Sequence, residues 1–310
     1  MSGATSAIET RGLRKEYGGK AAVADLTLSV APGEIFGFLG PNGAGKTTSV
    51  KMLLGLTRPT SGRATVLGLP IGNPSSRQRV GFLPEHFRFH EWLRADEFLD
   101  VHARFYGISR DVRRSRISRL LELVGLTEAA DQRLSTFSKG MLQRIGLAQA
   151  LINDPEVVFL DEPTSGLDPL GRRMVRDVIA ELKGKSVTVF LNSHLLSEVE
   201  VTCTRAAFIA QGRVRAIREL GQDAQALLRV ELRVGAIDDG LLRGLGQWSQ
   251  RVQVNDGRIT LAVASREALP QIARWIVGRG TDLYSLSPRP VSLEELFVRI
   301  VEGGDECAGS

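Results

Sequence analysis

The feature that most constrains this chain is a glycine-rich segment, GPNGAGKT, at residues 40–47. It follows the apolar run Ile35–Leu39, which predicts a buried strand, and it precedes a helix predicted over Thr47–Leu56. The segment fits the pattern G-x-x-x-x-G-K-[ST] in the strand–loop–helix context that a phosphate-binding loop requires. Glycines let backbone N–H groups converge on phosphate oxygens, and the helix N-terminus adds its positive end. The sequence therefore predicts a phosphate site in an α/β fold.

The polar positions of this loop have expected roles in binding a nucleotide. Lys46 is expected to reach the β- and γ-phosphates, and the hydroxyl of Thr47 to hold Mg²⁺. ATP and Mg²⁺ are therefore the predicted cofactors. The remaining predicted contacts to the nucleotide come from Gly40, Asn42, Gly43, Ala44, Gly45 and Thr48.

A second apolar run ends in two acidic residues. Val157–Leu160 predicts a buried strand, and Asp161 and Glu162 follow it directly. A carboxylate at such a strand end can hold Mg²⁺ indirectly, and its neighbour can polarise a water molecule. Alone, the pair fits an ordinary strand that ends in an acidic loop equally well. Because a phosphate loop precedes it, we expect Asp161 to serve the metal and Glu162 to be catalytic.

Composition places the chain among globular proteins. Its 310 residues, 43% apolar and 24% charged, suffice for about two domains. No apolar run approaches the ~18 residues of a membrane span, and residues 1–7 lack the features of a signal peptide. Cys203 and Cys307 are too far apart in sequence to suggest a disulfide framework or a metal-ligand set. These features predict an intracellular protein.

The charge balance says little about partners. A formal net charge of +5 is compatible with an anionic ligand, a membrane surface or neither. Arginines cluster over residues 110–119, and this cluster fits either a solvated helix face or a patch for lipid or nucleic acid.

The pattern of apolar and polar residues changes near residues 218–227, where we place a domain boundary. Before it, the pattern predicts further helices and a strand at Arg94–Tyr106, Val112–Val124, Ser138–Leu151, Pro169–Leu182 and Ser186–Leu191. After it, a strand at Leu228–Val234 alternates apolar and charged residues, which predicts a small sheet with one wet face. The rest of this region predicts a hairpin over Val252–Val263 around Asn255-Asp256-Gly257, and helices over Arg266–Val277 and Ser292–Val301. Ser292 and Glu295 form a capping box for the last helix.

Four further segments, in the expected order, resemble motifs of the ATP-binding subunits of ABC transporters. Residues 137–144, FSKGMLQR, resemble the signature motif, and residues 165–168, SGLD, resemble the D-loop. His194 stands where the family has its switch histidine, and Tyr17 where it has an aromatic that stacks on adenine. The resemblance covers roughly residues 7–218. It implies a P-loop NTPase, ABC-type ATPase domain over 7–218 with a helical subdomain at about 86–152, plus a small C-terminal α+β domain over 226–302.

The resemblance also implies a mechanism and partners. Two copies, identical or different, would close head to tail, and each ATP would lie between the phosphate loop of one copy and Ser138, Lys139 and Gly140 of the other. Glu162 would act as general base, and His194 would hold the attacking water and the γ-phosphate in line. A separate transmembrane permease subunit would be required, which implies a location on the cytoplasmic face of the membrane and no nucleic-acid partner.

The chain departs from the family pattern at three positions. Lys139 replaces the first glycine of the signature motif, Met141 replaces its glutamine, and Glu85 replaces the glutamine of the family's glutamine loop. A carboxylate at position 85 can still ligate Mg²⁺ or accept from its water, so Glu85 is a candidate metal residue. These departures resemble the subgroup that serves ABC-2-type membrane proteins, commonly exporters.

Two features of the sequence leave alternatives open. The aromatic segment after Glu85, which contains Phe87, Phe89 and Trp92, fits either anchors for the membrane subunit or a hydrophobic plug under the helical subdomain. The C-terminal domain carries no motif for chemistry, and it fits a dimer contact, a regulator or a passive cap. The rival functions are a soluble ABC-type ATPase that acts on nucleic acid or ribosomes, and a regulator that binds ATP without hydrolysis.

Overall fold

The computed structural model describes residues 6–87, 89–220, 228–249 and 252–289, together with positions 293, 297 and 300. The described residues form two compact units: the first contains residues 6–220 and position 300, and the second contains residues 228–289 with positions 293 and 297. Cys307 and, apart from those three positions, the predicted helix Ser292–Val301 with its capping box lie outside the described residues.

The first unit is built on one mixed sheet. Its described strands are β1 (Ile8–Tyr17), β2 (Lys20–Val30), β3 (Ile35–Leu39), β4 (Ser61–Val66), β5 (Leu69–Pro70), β6 (Val80–Leu83), β7 (Val157–Asp161), β8 (Thr188–Asn192), β9 (Arg205–Ala210) and β10 (Arg213–Glu219). They lie in the order β5-β4-β1-β2-β10-β9-β3-β8-β7-β6. The strands β9, β3, β8, β7 and β6 run parallel, whereas β1, β2, β4 and β5 pair antiparallel.

Seven helices are described in this unit. They are α1 (Lys46–Leu53), α2 (Pro74–Arg77), α3 (Ala95–Phe105), α4 (Arg110–Leu123), α5 (Lys139–Ala150), α6 (Pro169–Gly184) and α7 (Leu196–Thr202). The helices α3, α4 and α5 pack on one another. None of the helices in the described residues is long and apolar enough to cross a bilayer.

The parallel strands form the centre of the core. Every residue of β3, β7 and β8 is buried, as expected for strands covered on both faces. The ring of Phe190 lies 5.1 Å from that of Phe38 and 5.4 Å from that of Phe159, so adjacent strands interlock through their aromatic side chains. The register aligns Asn192 with both Phe38 and Asp161, so the carboxyl ends of the three strands lie together.

The predicted strand Ile35–Leu39 and the main helices are confirmed, with small differences at their ends. The helix predicted to end at Leu56 ends at Leu53, because Gly55 takes a left-handed φ of 67°. The strand predicted from Ser186 begins at Thr188, because Ser186 has a φ of 59° and belongs to the turn. Two arginines of the cluster at residues 110–119 make contacts within the first unit. Arg113 pairs with Asp100 at 2.7 Å, and Arg116 donates to the Ile152 carbonyl at 2.9 Å.

The second unit is a small α+β fold. Its described elements are β11 (Leu228–Val234), α8 (Asp239–Leu245), β12 (Val252–Asn255), β13 (Arg258–Val263), α9 (Ala268–Gly278) and β14 (Leu283–Arg289). The strands form an antiparallel sheet in the order β12-β13-β11-β14. The predicted strand and hairpin are confirmed, and Val230, Leu232 and Val234 are buried in the core of this unit.

The structure adds α8 and β14, which the pattern did not predict. The helix α8 contains Gly240 and Gly244, which weaken a helical signal. Gly244 is needed here, because a Cβ at this position would lie 2.1 Å from the ring of Trp275. Asp238 supplies the missing start signal, since its side chain accepts from the N–H of Leu241 at 2.6 Å.

The two faces of β11 lead to a stability prediction. Leu232→Ala should lower the free energy of unfolding by about 2–5 kcal/mol, because Leu232 is fully buried and its loss leaves a cavity. Arg233→Ala, on the exposed face, should change it by less than about 0.5 kcal/mol. Urea unfolding followed by the emission of Trp248 and Trp275 measures both, and equal losses would contradict the assigned face.

Candidate nucleotide site

The phosphate loop connects β3 to α1, and its conformation depends on glycine. Gly43 and Gly45 have left-handed φ values of 80° and 101°. A Cβ on Gly40 would lie 2.4 Å from the carbonyl oxygen of Ile209, and one on Gly45 would lie 2.4 Å from that of Ala22. No other residue fits at positions 40 and 45 without moving the backbone of a neighbouring segment. The glycines at both ends thus fit the loop against neighbouring backbone, and residues 41–43 between them are exposed.

Lys46 folds back over this loop. Its Nζ donates to the carbonyl oxygens of Gly40 at 2.7 Å and Pro41 at 3.2 Å. Burial lowers the pKa of Lys46, and the carboxylates of Glu162, Asp161 and Glu85 counter this by raising it. The phosphate loop, the acidic pair and Glu85 therefore belong to one electrostatic site.

Asp161 is the most strongly perturbed acid of this site. It ends β7, is 2% exposed, and accepts a hydrogen bond from the side chain of Asn192. Burial raises the pKa of Asp161 to about 6, with Glu85 and Glu162 adding to the rise and with Asn192 and Lys46 opposing it. A buried carboxylate whose charge is this poorly compensated fits a hard cation such as Mg²⁺. Among the described residues, no three His, Cys, Asp or Glu side chains form a metal cage by themselves.

Glu162 follows Asp161 with an unusual backbone. It is 5% exposed and has a left-handed φ of 53°, which a residue with a side chain rarely adopts. Its N–H donates to the Asn192 carbonyl at 2.8 Å, and its own carbonyl accepts from Gln143 Nε2 at 3.4 Å. The Oε2 atom of Glu162 lies 2.7 Å from Nδ1 of His194, a half-exposed residue beyond the end of β8. The structure thus brings the predicted base and the predicted switch histidine together.

The signature segment begins α5. Ser138 is its N-cap, as predicted, and its Oγ accepts from the N–H of Met141 at 3.2 Å. Ser138 and Lys139 are exposed. The side chain of Lys139 lies across Gly166, because a Cβ on Gly166 would lie 2.5 Å from Lys139 Nζ. The predicted signature segment and the predicted D-loop therefore contact each other within one chain.

Tyr17 and Glu85 lie on the surface beside this centre. Tyr17 ends β1, is 52% exposed, and has the ammonium group of Lys15 at 4.8 Å from its ring centroid. It lies in the β1–β2 hairpin, whose Ala22 contacts Gly45 of the phosphate loop. Glu85 is exposed just after β6, and its charge acts on both Lys46 and Asp161.

Comparison with known proteins assigns this arrangement to a family. A family model described as ABC transporter matches residues 23–165. A Nod factor export ATP-binding protein I of Mesorhizobium japonicum is 35% identical over 305 residues, which cover 96% of this chain and 88% of the relative. An uncharacterized ABC transporter ATP-binding protein of Synechocystis is 45% identical over 283 residues, which cover 88% of this chain and 77% of the relative. The chain belongs to the ABC transporter family.

Solved structures agree with this assignment. The structure of an ATP-binding subunit of an ABC transporter aligns with a TM-score of 0.65 at 30% identity, covering 70% of this chain and 90% of that one. An ATP-binding cassette solved as a dimer in a post-hydrolysis state with ADP and Pi aligns with a TM-score of 0.64 at 23% identity, and that likeness concerns the fold. The predicted P-loop α/β fold is confirmed. This ABC transporter subunit is an ATP-binding protein and an ATPase.

The aromatic segment of this ABC subunit divides into an inner and an outer part. The ring of Phe87 lies 4.4 Å from that of Phe89, and both contact the buried ring of Phe98 on α3, at 6.0 and 5.7 Å. Trp92 is 70% exposed and touches only the ring of His90 among the described aromatic residues. Phe87 and Phe89 therefore behave as the predicted plug, and Trp92 alone has the exposure of an anchor.

Two residues of the site, Asn192 and Gln143, were not predicted from the sequence. Asn192 holds both Asp161 and the backbone of Glu162, and Gln143 reaches the Glu162 carbonyl from α5. Asn192 ends a predicted strand just as Asp161 does, so pairing the two strand ends would have pointed to it. No local signal marks Gln143, because its role depends on how α5 packs.

The raised pKa of Asp161 leads to a prediction about pH. In the folded protein this acid has a pKa of about 6, above its ordinary 3.8, so its ionisation destabilises the metal-free fold as pH rises through about 4–6. Asp161→Asn should remove this cost and raise the free energy of unfolding near pH 8 by about 1–3 kcal/mol. Thermal unfolding without nucleotide and with a chelator, between about pH 4 and 8, measures it.

The control for this experiment is Asp177→Asn, an exposed position on α6. It should keep the pH dependence of the wild type. An unchanged slope in Asp161→Asn would show that Asp161 does not carry the effect.

Proposed function

We propose that this ATPase powers an exporter through closure of a head-to-tail dimer, with Glu162 as the general base of hydrolysis. The observation that carries the proposal is the placement of Glu162. Its carboxylate is buried beside the phosphate loop, its backbone has a left-handed φ of 53°, and His194 lies 2.7 Å from it. Strained backbone held by its surroundings is typical of catalytic positions.

In this proposal the phosphate loop binds the triphosphate. Lys46 exchanges its contacts with the Gly40 and Pro41 carbonyls for phosphate oxygens, while backbone N–H groups of residues 42–48 donate to them. Thr47, Asp161 and Glu85 would hold Mg²⁺, which would neutralise charge on the phosphates. The ring of Tyr17, half-exposed on the hairpin beside the loop, would stack on adenine.

The second copy completes each site. The exposed segment Ser138–Gly140 at the N-terminus of α5 would face the γ-phosphate bound by the other chain, where free N–H groups and the helix dipole favour an anion. Glu162 would then take a proton from the attacking water. His194, exposed on one side and close to Glu162 on the other, would keep the water and the γ-phosphate in line.

In this proposal a membrane subunit in a separate chain forms the transport path, as the family resemblance implies. Relatives that match 94–96% of this chain are named as Nod factor export ATP-binding proteins, which supports an export role. The departures at Glu85, Lys139 and Met141 favour an ABC-2-type partner. The ATPase would then lie at the cytoplasmic face of the membrane. Trp92, exposed beside the glutamine-loop position Glu85, is the proposed anchor for the partner.

The first prediction of this proposal concerns Glu162→Gln. The amide cannot accept the proton of the attacking water, so ATP turnover should fall by at least about a hundredfold. The phosphate contacts remain, so ATP affinity should stay within about threefold, and ATP should convert a transient dimer into a stable one. A steady-state ATPase assay, equilibrium titration and sedimentation with ATP measure the three effects.

Glu181→Gln is the matched control, because Glu181 is an exposed acid on α6 that pairs with Lys185. It should retain full turnover. A Glu162→Gln variant with turnover near that of the wild type would remove Glu162 from the reaction.

The second prediction concerns Trp92→Ala. The variant should keep its basal turnover but lose at least about ninety per cent of its association with membranes, as expected for an aromatic hot spot. The measurement is the fraction of tagged chain that sediments with membranes of the native host. Phe105→Ala, which removes a ring that is 80% exposed at the end of α3, is the matched control and should sediment like the wild type.

The outcome that would contradict this assignment is equal membrane association for Trp92→Ala and Phe105→Ala. Phe89→Ala distinguishes the inner part of the segment. It should lower the free energy of unfolding by about 3–5 kcal/mol, because packing on Phe98 is lost. Any loss of membrane association in this variant should be accompanied by unfolding.

A further inference from the structure

The first turns of α5 lie along the loop that follows Glu162. Gln143 donates from Nε2 to the carbonyl of Glu162, where this loop begins. Four residues earlier and on the same face of the helix, Lys139 lies across Gly166, with Cε and Nζ both 2.5 Å from where a Cβ on Gly166 would be. Between them, a Cβ on Gly140 would lie 3.5 Å from Cδ2 of Leu167. One helix face therefore holds the loop 162–168 at several points.

This loop needs to be held, because its backbone is demanding. Glu162 has a φ of 53° and Gly166 a φ of 72°, so the chain enters the left-handed region twice within five residues. The ends of the loop are anchored by the Glu162 N–H on Asn192 and by Asp168, which caps α6 through Gly171 N at 2.7 Å. Gly166, near the middle, is exposed and has no side chain of its own to pack. The outer part of the Lys139 side chain lies against one side of it.

We propose that Lys139 is a positioning residue for ATP hydrolysis. Its aliphatic stem, by lying across Gly166, keeps the loop 162–168 in the conformation that aims the carboxylate of Glu162. Among the described residues, Lys139 has no carboxylate partner for its ammonium group, so its packing and not an ion pair defines this contact. The inference rests on the proposed role of Glu162.

The experiment compares full-length chains carrying Lys139→Ala or Lys139→Met. Lys139→Ala removes the side-chain contact with Gly166, and turnover should fall by about tenfold or more through misplacement of Glu162. Equilibrium affinity for ATP should stay within about twofold, because the nucleotide contacts of the same chain are untouched. Amide exchange of residues 164–168 should become faster, a readout that does not depend on hydrolysis.

Lys139→Met tests whether the aliphatic part of the Lys139 side chain or its ammonium charge is needed. Methionine has an unbranched apolar stem that can cover Gly166 without an ammonium group, so turnover should recover to within about threefold of the wild type, and the slow amide exchange should return. Lys183→Ala, at an exposed position on α6, is the control for loss of a lysine and should match the wild type.

Three results would overturn the proposal. Unchanged amide exchange in Lys139→Ala would show that Lys139 does not hold the loop. Unchanged turnover would show that the contact does not serve hydrolysis. A Lys139→Met variant as slow as Lys139→Ala, with weakened ATP affinity in both, would show that the ammonium group acts on the nucleotide of a second copy. An active Glu162→Gln variant would contradict the proposed function and not the contact between Lys139 and the loop. The amide-exchange measurement on Lys139→Ala does not depend on the role of Glu162.

Discussion

The rest of the site depends on the charge interaction between the buried ammonium group of Lys46 and the carboxylates of Asp161, Glu162 and Glu85. Burial alone would drive Lys46 toward its neutral form, and burial alone would drive Asp161 toward protonation. Each group keeps its charge partly because the other is near. With Lys46 donating only to the Gly40 and Pro41 carbonyls, negative charge remains uncompensated around Asp161. The carboxylates at this site favour a divalent cation, and the ammonium group of Lys46 favours the phosphate oxygens that would arrive with it.

The fold explains why these groups meet. Lys46 and the acidic pair Asp161–Glu162 are more than a hundred residues apart in sequence. The strands β3, β7 and β8 are adjacent and parallel, so their carboxyl ends open on one edge of the sheet. Asn192 joins two of these ends by holding the side chain of Asp161 and the backbone of Glu162. The helix α5 adds a third support through Gln143. A strained backbone at Glu162 persists because independent elements hold it from both sides.

The sequence predicted the chemistry of the first unit better than its edges. The phosphate loop, the acidic strand end and the buried parallel strands carry strong local patterns, and their bounds differ little from the structure. The antiparallel strands β1, β2 and β4 left no clear signal, because β1 is half-exposed and interrupted by register shifts near Gly12 and Leu13. In the second unit, Gly244 hid α8, since its need for a glycine arises from Trp275, thirty-one residues away in sequence. Contacts between residues that are distant in sequence arise from packing, so no local sequence pattern predicts them.

The aromatic segment after Glu85 shows how two alternatives from sequence can both hold at different residues. Phe87 and Phe89 are half-buried and pack on Phe98 as an aromatic wall, whereas Trp92 projects from the same segment into solvent. A partner that contacts Trp92 would therefore press on a segment whose inner side cannot yield easily, because three aromatic rings fill it. The end of that wall is Phe87, two residues from Glu85, and the charge of Glu85 acts on both Lys46 and Asp161. A carboxylate at this position couples to the nucleotide site through charge, which acts over a longer distance than the hydrogen bonds of the glutamine that the family usually carries. A displacement at Trp92 that moved Glu85 by a small distance would thus alter the field at Lys46 and Asp161 without breaking any contact of the phosphate loop.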